Sequence, residues 1–169
     1  KLYSEATNYN SSILCIDPNI NMIKESKENL KDYRNIRWKV CNAEKLNVPD
    51  NIFDFYTISF GLRNVKDINK SLKEAHRVLK KGGRFMCLEF SKIENNNLEV
   101  LYKNYSKLIP KIGEIVVGEK KPYEYLINSI ENFISQKELI EKMKENNFKN
   151  CKYRNLSGGI VAIHSGWKV

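Results

Sequence analysis

The stretch Asn51-Ile52-Phe53-Asp54-Phe55-Tyr56-Thr57-Ile58-Ser59 runs straight into Phe60-Gly61-Leu62-Arg63-Asn64, and its reading decides the fold class. Aromatic and β-branched residues predict a strand, and the polar, glycine-containing turn after Ser59 stops it. Asp67 is an N-cap for the helix that follows. Its apolar positions Ile68, Leu72, Ala75 and Leu79 fall at helical spacing, and Gly82 supplies a left-handed stop. The block Arg77-Val78-Leu79-Lys80-Lys81-Gly82-Gly83-Arg84 leads into a second strand, Phe85-Met86-Cys87-Leu88, ending at Glu89-Phe90-Ser91. Strand, polar turn, helix, glycine pair and strand make a βαβ crossover. Open α/β sheets bind their ligands where such strands stop.

Working outward, Ser12-Ile13-Leu14-Cys15-Ile16 is a short apolar run ending at Asp17-Pro18, which predicts a buried strand. A helix from about Asn21 to Lys31 follows, and Ile36-Arg37-Trp38-Lys39-Val40-Cys41 alternates as a second strand closed by Asn42-Ala43-Glu44. On the other side, Glu94-Asn95-Asn96-Asn97 reads as a loop. Leu98 to Ile134 reads as helical with an irregular middle around Pro110 to Pro122. Ser135-Gln136-Lys137-Glu138 is a capping box opening a helix from Leu139 to Glu145. The chain then predicts an antiparallel hairpin: Cys151 to Leu156, a turn at Ser157-Gly158-Gly159, and Ile160 to Val169. No repeat or low-complexity linker divides it, so the expectation is one α/β domain over residues 1–169 with a doubly wound, mostly parallel sheet.

The 169 residues are enough to bury a substantial core, and no apolar run approaches the roughly 20 residues that cross a bilayer. The residues Lys1 to Ser12 are polar and contain no signal-peptide core. A formal charge of +9 raises nucleic acid, an anionic membrane surface, or solubility alone. Acidic residues interrupt most of the lysine runs, so solvated faces are favoured over a nucleic-acid groove. Cys15, Cys41, Cys87 and Cys151 form no Cys-x-x-Cys pair and His76 and His164 stand apart, so no metal site is expected and the thiols read as buried and reduced.

Two strand ends carry chemistry of their own. A carboxylate at Asp17 suits the vicinal hydroxyls of a ribose, although strand-Asp-Pro is also an ordinary turn. Asn42 by itself is a turn former. Spaced one strand-helix unit apart, the two favour a nucleoside pocket. Arg63 has two readings as well: an ion pair to a surface carboxylate, or a group facing a substrate.

Several blocks resemble, in order, those of the ubiquinone/menaquinone biosynthesis C-methyltransferases. They are Ser59 to Val65, Arg77 to Ser91, Ile109-Pro110-Lys111-Ile112-Gly113, Tyr123-Glu124-Tyr125-Leu126, and Gly159 to Lys168. The resemblance runs from about Ile13 to Val169, with Lys81 standing where the family usually has proline. It implies the class I S-adenosylmethionine-dependent methyltransferase fold, a Rossmann-like sheet closed by a C-terminal antiparallel hairpin. It implies S-adenosylmethionine as cofactor, held by Asp17 at the ribose, by Asn42 and Ala43 at the adenine, and contacted by Ser59. Gly61 is expected to allow close backbone approach or a positive φ.

The reaction implied is methyl transfer to a ring carbon of a polyprenyl benzoquinol, with Arg63 and Asn64 as catalytic residues; Tyr123 and Tyr125 read as core packing at least as well as groups reaching the site, and His164 as a structural histidine ahead of a general base. The helical segment of about 98–134 would form a lid over the prenyl tail. Such a substrate implies a peripheral place on a membrane: the matrix side of the mitochondrial inner membrane, or the bacterial cytoplasm. A homodimer or a multi-enzyme quinone-biosynthesis complex is the implied assembly, and nucleic acid is not an expected partner. The family's opening strand and the Gly-rich loop after it have no counterpart in this sequence. In the family fold that strand lies mid-sheet, between those ending at Asp17 and Ser59, so the chain is expected to be a portion of a longer protein, ahead of the alternative that a partner chain supplies the strand. A non-catalytic scaffold in a quinone-biosynthesis complex, or a methyltransferase of another substrate class, are the competing readings.

Overall fold

The computed structural model describes residues 2–93 and 121–169. The loop expected at Glu94 to Asn97, the helical pattern from Leu98 and the block at Ile109 to Gly113 lie outside them. The chain packs as two compact units, Lys1–Val48 and Pro49–Val169, where the sequence predicts a single domain.

The first unit contains α1 (Leu2–Ala6), β1 (Ile13–Asp17), α2 (Ile20–Asn29) and β2 (Ile36–Val40). Strands β1 and β2 are parallel, with Ile13 opposite Ile36 and Asp17 opposite Val40. The turn between β1 and α2 is built by side chains: Asp17 accepts the Asn19 N–H at 2.7 Å, and Asn19 in turn caps α2 by accepting the Asn21 N–H at 2.9 Å. Ile23, Ile36 and Leu46 form its small buried core. Ser4 donates to Asn35 at 2.7 Å and Tyr33 to Glu5 at 2.9 Å, which fastens α1 to the segment before β2.

The second unit holds β3 (Phe53–Ser59), a 3-10 turn (Leu62–Asn64), α3 (Ile68–Val78), β4 (Leu79–Phe90), α4 (Lys121–Glu131), α5 (Gln136–Glu145), β5 (Lys149–Leu156) and β6 (Val161–Trp167). Its sheet has the order β3-β4-β6-β5, with β3 parallel to β4 and β6 antiparallel to both of its neighbours. The predicted hairpin is therefore present, and its second arm lies inside the sheet. On β4, Phe85, Cys87 and Glu89 point to the buried face while Arg84, Met86 and Leu88 point to a half-buried one. Phe85 and Cys87 pack with Leu72 and Ala75 of α3, Leu139 and Met143 of α5, and Phe148, all nearly sealed from solvent. Burying an aliphatic or aromatic side chain of this kind contributes roughly 1.5–3 kcal/mol, so this layer holds the unit together.

Both predicted caps form. Asp67 accepts the Lys70 N–H at 3.1 Å, and Ser135 and Glu138 satisfy each other's backbone N–H groups in a complete capping box. The predicted end of α3 is corrected. The helix stops at Val78, and Leu79 is already extended (φ −73°, ψ 141°) because it pairs with Phe53. Gly82 does adopt φ +78°, but four residues further on, within the β4 segment. There the glycine pair meets Lys168: the Gly82 N–H donates to the Lys168 carbonyl at 2.7 Å and the Lys168 N–H to the Gly83 carbonyl at 2.9 Å. The Lys168 ammonium covers the end of α3, donating to the carbonyls of His76 (2.7 Å) and Arg77 (3.3 Å). A lysine from a distant strand thus does what a glycine cap was expected to do.

Replacing Ser135 by Ala removes the hydroxyl half of the capping box and should lower stability by about 1 kcal/mol, whereas Lys137→Ala, on the exposed side of the same turn, should leave it within about 0.5 kcal/mol. Urea denaturation of both variants beside the unaltered protein measures the difference.

Candidate functional site

In the first unit, the carboxyl ends of two adjacent parallel strands bring the predicted nucleoside residues together. The Cys41 N–H donates to the Asp17 carbonyl at 3.2 Å, so Asn42 begins one residue beyond Asp17's own ladder bond. Asn42 accepts the Glu44 N–H at 2.9 Å, forming an Asx turn that aims the Asn42-Ala43-Glu44 backbone outward. The Asp17 Oδ1 is occupied by Asn19, while its Oδ2 and the Ala43 N–H have no partner among the described residues. Asn42 is exposed and Asp17 half-buried. This corner presents one carboxylate oxygen, one side-chain amide and one backbone donor.

In the second unit the chain leaves β3 at Ser59, which is exposed. Phe60 then takes a left-handed conformation (φ +53°), held by its N–H to the Leu88 carbonyl at 2.9 Å. A non-glycine residue there carries strain, and such strain gathers at functional sites. The positive φ expected of Gly61 therefore sits one residue earlier, and Gly61 itself is at φ −116°. A Cβ on Gly61 would lie 3.3 Å from the Ile58 side chain, a contact with its own strand.

The turn that follows places Arg63 against Glu89, not against a surface carboxylate. The Arg63 Nη1 donates to Glu89 Oε1 at 3.1 Å, and the Arg63 backbone N–H donates to Oε2 at 3.2 Å. The Phe90 N–H adds a further bond to Oε1 at 3.0 Å. The same guanidinium donates from Nη1 to the Phe60 carbonyl and from Nε to Ser129 Oγ on α4 at 3.1 Å. It lies over the Phe90 ring, 5.4 Å from the centroid. The Arg63 side chain is 9% exposed and that of Glu89 is fully buried. Two unscreened charges in that position must neutralise each other, since an isolated buried ion is penalised by several kcal/mol. Next to it, Tyr125 on α4 donates to Asn64 Oδ1 at 3.0 Å. Arg63 and Ser129 also line a groove of about 440 Å3 between the α3 N-terminus and the end of α4, whose apolar wall includes Ile68 and Phe133.

Arg63, Asn64 and Tyr125 are therefore brought together, and Tyr123 lies on the same helix. His164 is not at this place. It is 2% exposed, with Nε2 3.3 Å from the Gln136 carbonyl, which accepts and so fixes the proton on Nε2. Its Nδ1 is buried without a partner among the described residues, and burial pushes the imidazole down to about 4. A general base needs an accessible lone pair, and this one is sealed in the core. Burial likewise raises the thiol of Cys87 above its ordinary range. The residues that the sequence reading passed over are Glu89 and Ser129. Glu89 had a signal: it continues the inward alternation of Phe85 and Cys87, so a carboxylate stands where the strand pattern demands an apolar side chain.

The family model for the ubiE/COQ5 methyltransferase family matches residues 2–168. The chain belongs to the ubiE/COQ5 methyltransferase family. Among curated relatives, the ubiquinone/menaquinone biosynthesis C-methyltransferase UbiE of Rickettsia akari (strain Hartford) is 51% identical over 164 residues, covering 95% of this chain and 66% of the relative. The chain thus spans slightly less than two thirds of the length of the curated relatives it matches. Among solved structures, an S-adenosylmethionine-dependent methyltransferase from Aquifex aeolicus superposes with a TM-score of 0.72 at 16% identity, over 99% of this chain and 74% of that one. A phosphoethanolamine N-methyltransferase from Haemonchus contortus, solved with phosphomonomethylethanolamine and S-adenosylhomocysteine, superposes with a TM-score of 0.70 at 12% identity, over 99% of this chain and 46% of that one. At these identities the likeness establishes the fold: the α/β class I methyltransferase plan expected from the sequence, with its terminal antiparallel hairpin.

The buried neutral His164 makes stability depend on pH with a defined sign. Its folded value, about 4, lies below the ordinary 6.5, so the unfolded chain binds the extra proton between those values. Stability is fully present above about pH 6.5 and falls as the pH drops toward 4, by at most about 3 kcal/mol from this residue. Urea midpoints of the family member and its His164→Phe variant, taken from pH 7.5 to 4.5, should show the shallower dependence in the variant.

Proposed function

We propose that this protein transfers a methyl group from S-adenosylmethionine to a ring carbon of a polyprenyl quinol in ubiquinone or menaquinone biosynthesis. The observation that carries this reading is the family match across residues 2–168, together with relatives named for that activity. Those relatives do not favour the scaffold reading or another substrate class.

The first unit's strand ends fit the cofactor. The free Asp17 Oδ2 and the unpartnered Ala43 N–H are the acceptor and donor that a ribose diol and an adenine edge require, and the exposed Asn42 amide adds a donor beside them. In this reading Asp17 holds the ribose, Asn42 and Ala43 the adenine, and Ser59 contacts the cofactor from the end of β3. The bound cofactor supplies an electrophilic methyl group on a sulfonium. What remains for the protein is to make a ring carbon nucleophilic, which requires the adjacent ring hydroxyl to lose a proton that a phenol holds to about pH 10.

Arginine keeps its proton, so Arg63 acts as a donor to the developing phenolate or as the orienter of a water that takes the ring hydroxyl's proton. Its Nε and Nη1 are engaged by Ser129, Phe60 and Glu89, which leaves the Nη2 donors without partners among the described residues. Asn64, fixed by Tyr125, positions the second ring oxygen. The groove beside Arg63, with its apolar wall, suits a quinol ring and the first units of its prenyl tail. The remaining part of the lid expected over about 98–134 rests on the sequence pattern, with α4 as its described part.

A prenylated substrate places the work at a membrane surface. Among the described residues no helix is long and apolar enough to cross a membrane, and attachment through the excess of basic side chains, +9 overall, is the mode we propose. The Rickettsia kinship is with a bacterial protein, which supports the bacterial cytoplasmic address; the mitochondrial inner membrane expected from the sequence has no support from it. A homodimer or a quinone-biosynthesis complex is the assembly this reading proposes.

Calorimetric titration with S-adenosylmethionine, beside an assay of methyl transfer to a short-chain polyprenyl quinol, tests the reading. Asp17→Ala should weaken cofactor binding by tenfold or more, as expected from losing about 1.5–3 kcal/mol of charged hydrogen bonding. Cofactor binding without methyl transfer to any quinol would overturn the substrate assignment, and absence of binding both here and in a version extended upstream by the family's opening strand and Gly-rich loop would overturn the whole reading. Binding to anionic liposomes should weaken on charge reversal of exposed lysines such as Lys24, Lys27 and Lys73; unchanged binding would count against the membrane role.

A further inference from the structure

We propose that Glu89 is a positioning residue: it locks the Arg63 guanidinium in one orientation at the wall of the adjoining groove, with Nη2 left without a partner among the described residues. The locking contacts are given by the geometry, and their consequence for catalysis rests on the methyl-transfer reading above. Glu89 is fully buried, so no substrate reaches it, and its carboxylate is consumed by the Arg63 guanidinium, the Arg63 N–H and the Phe90 N–H. It grips Arg63 at both the backbone and the side chain. That double attachment fixes the start of the turn and the end of the long side chain with respect to a single strand. Arginine carries the larger part of its freedom in rotation about its side-chain bonds, and here those rotations are spent before any ligand arrives.

The other contacts complete the lock without replacing it. The Phe60 carbonyl and Ser129 Oγ take Nη1 and Nε, and the Phe90 ring lies against the guanidinium carbon. All of these are neutral groups, so Glu89 is the only carboxylate paired with Arg63 among the described residues. The pair brings no net charge to the groove. Arg63 therefore acts on an oxygen that gains charge during a reaction more than on one charged from the start, since pre-oriented donors favour a developing charge. Ser129 extends the same arrangement to α4, so the orientation of Arg63 and the seat of that helix are set together.

Four proteins decide the matter: the unaltered protein, Glu89→Gln, Arg63→Gln and the double variant. Glu89→Gln keeps the shape of the side chain and removes its charge. In the methyl-transfer assay it should lower kcat by about 100-fold while the KM for S-adenosylmethionine stays within about twofold, the pattern of a displaced catalytic group. In the Arg63→Gln background, Glu89→Gln should lower kcat no further, because a residue that acts through Arg63 has nothing left to act on. Losses that multiply in the double variant would overturn the proposal. A second readout needs no activity: nitrogen-15 spectra of the arginine side chains, with the Arg63 signal assigned by its absence from Arg63→Gln. A locked guanidinium gives a slowly exchanging Nε–H signal in the unaltered protein, and Glu89→Gln should collapse it to the position and exchange rate of exposed arginines. Persistence of that signal in a folded Glu89→Gln protein would overturn the proposal, whatever the assay shows. Loss of the signal with no methyl transfer by the unaltered protein would sustain the positioning role and defeat the functional reading alone.

Discussion

A carboxylate with no access to water must have a cation beside it, and that requirement at Glu89 organises the part of the molecule where its chemistry is expected. The strand that carries Glu89 runs through the middle of the second unit, with Cys87 and Phe85 anchoring it in the core one and two alternations earlier. The turn after β3 has to deliver Arg63 to that point, which is consistent with Phe60 accepting an unfavourable left-handed backbone and giving its carbonyl to the same guanidinium. Helix α4 meets the result at Ser129 and Tyr125. A buried ion pair is seldom a net source of stability, because desolvation offsets the attraction. Its presence beside the apolar core is better understood as a specification of geometry.

The two units divide the expected work. One presents a carboxylate, an amide and a backbone donor on adjacent strand ends; the other presents an arginine, an asparagine and a tyrosine around a groove with an apolar wall. The first set is assembled by short-range turns, with Asp17 and Asn42 each bonded two residues onward. The second is assembled across the sheet and from a helix far along the chain. Membership of the ubiE/COQ5 methyltransferase family gives both sets a common rationale.

How much of this was legible in the sequence follows the same division. The caps at Asp67 and Ser135, the strand Phe53–Ser59 and the terminal hairpin were readable because each is determined within a few residues. The end of α3 was not: Gly82 looked like its stop, but pairing of Leu79 with Phe53 and the ammonium of Lys168 ended the helix earlier. Nor was the left-handed turn placed correctly, since glycine is the usual occupant and here Phe60 takes it. Arg63 was recognised as a site residue from its motif, while its partner, 26 positions away, was missed. Only the pleat of β4 hinted at Glu89. Pairings across a sheet leave no short-range signature, and the separation of the chain into two compact units is a property of packing that hydrophobic pattern alone does not express.

The Lys168 side chain has a consequence for how the second unit comes apart. Its ammonium closes the carboxyl end of α3 while its backbone closes the glycine turn of β4, so strand β6 cannot peel away without releasing both. Fraying of β6 is here tied to loss of the crossover helix α3. Sequence neighbours at the start and finish of this unit thereby belong to one cooperative block, and its protection against solvent exchange is set by the core rather than by proximity to the terminus.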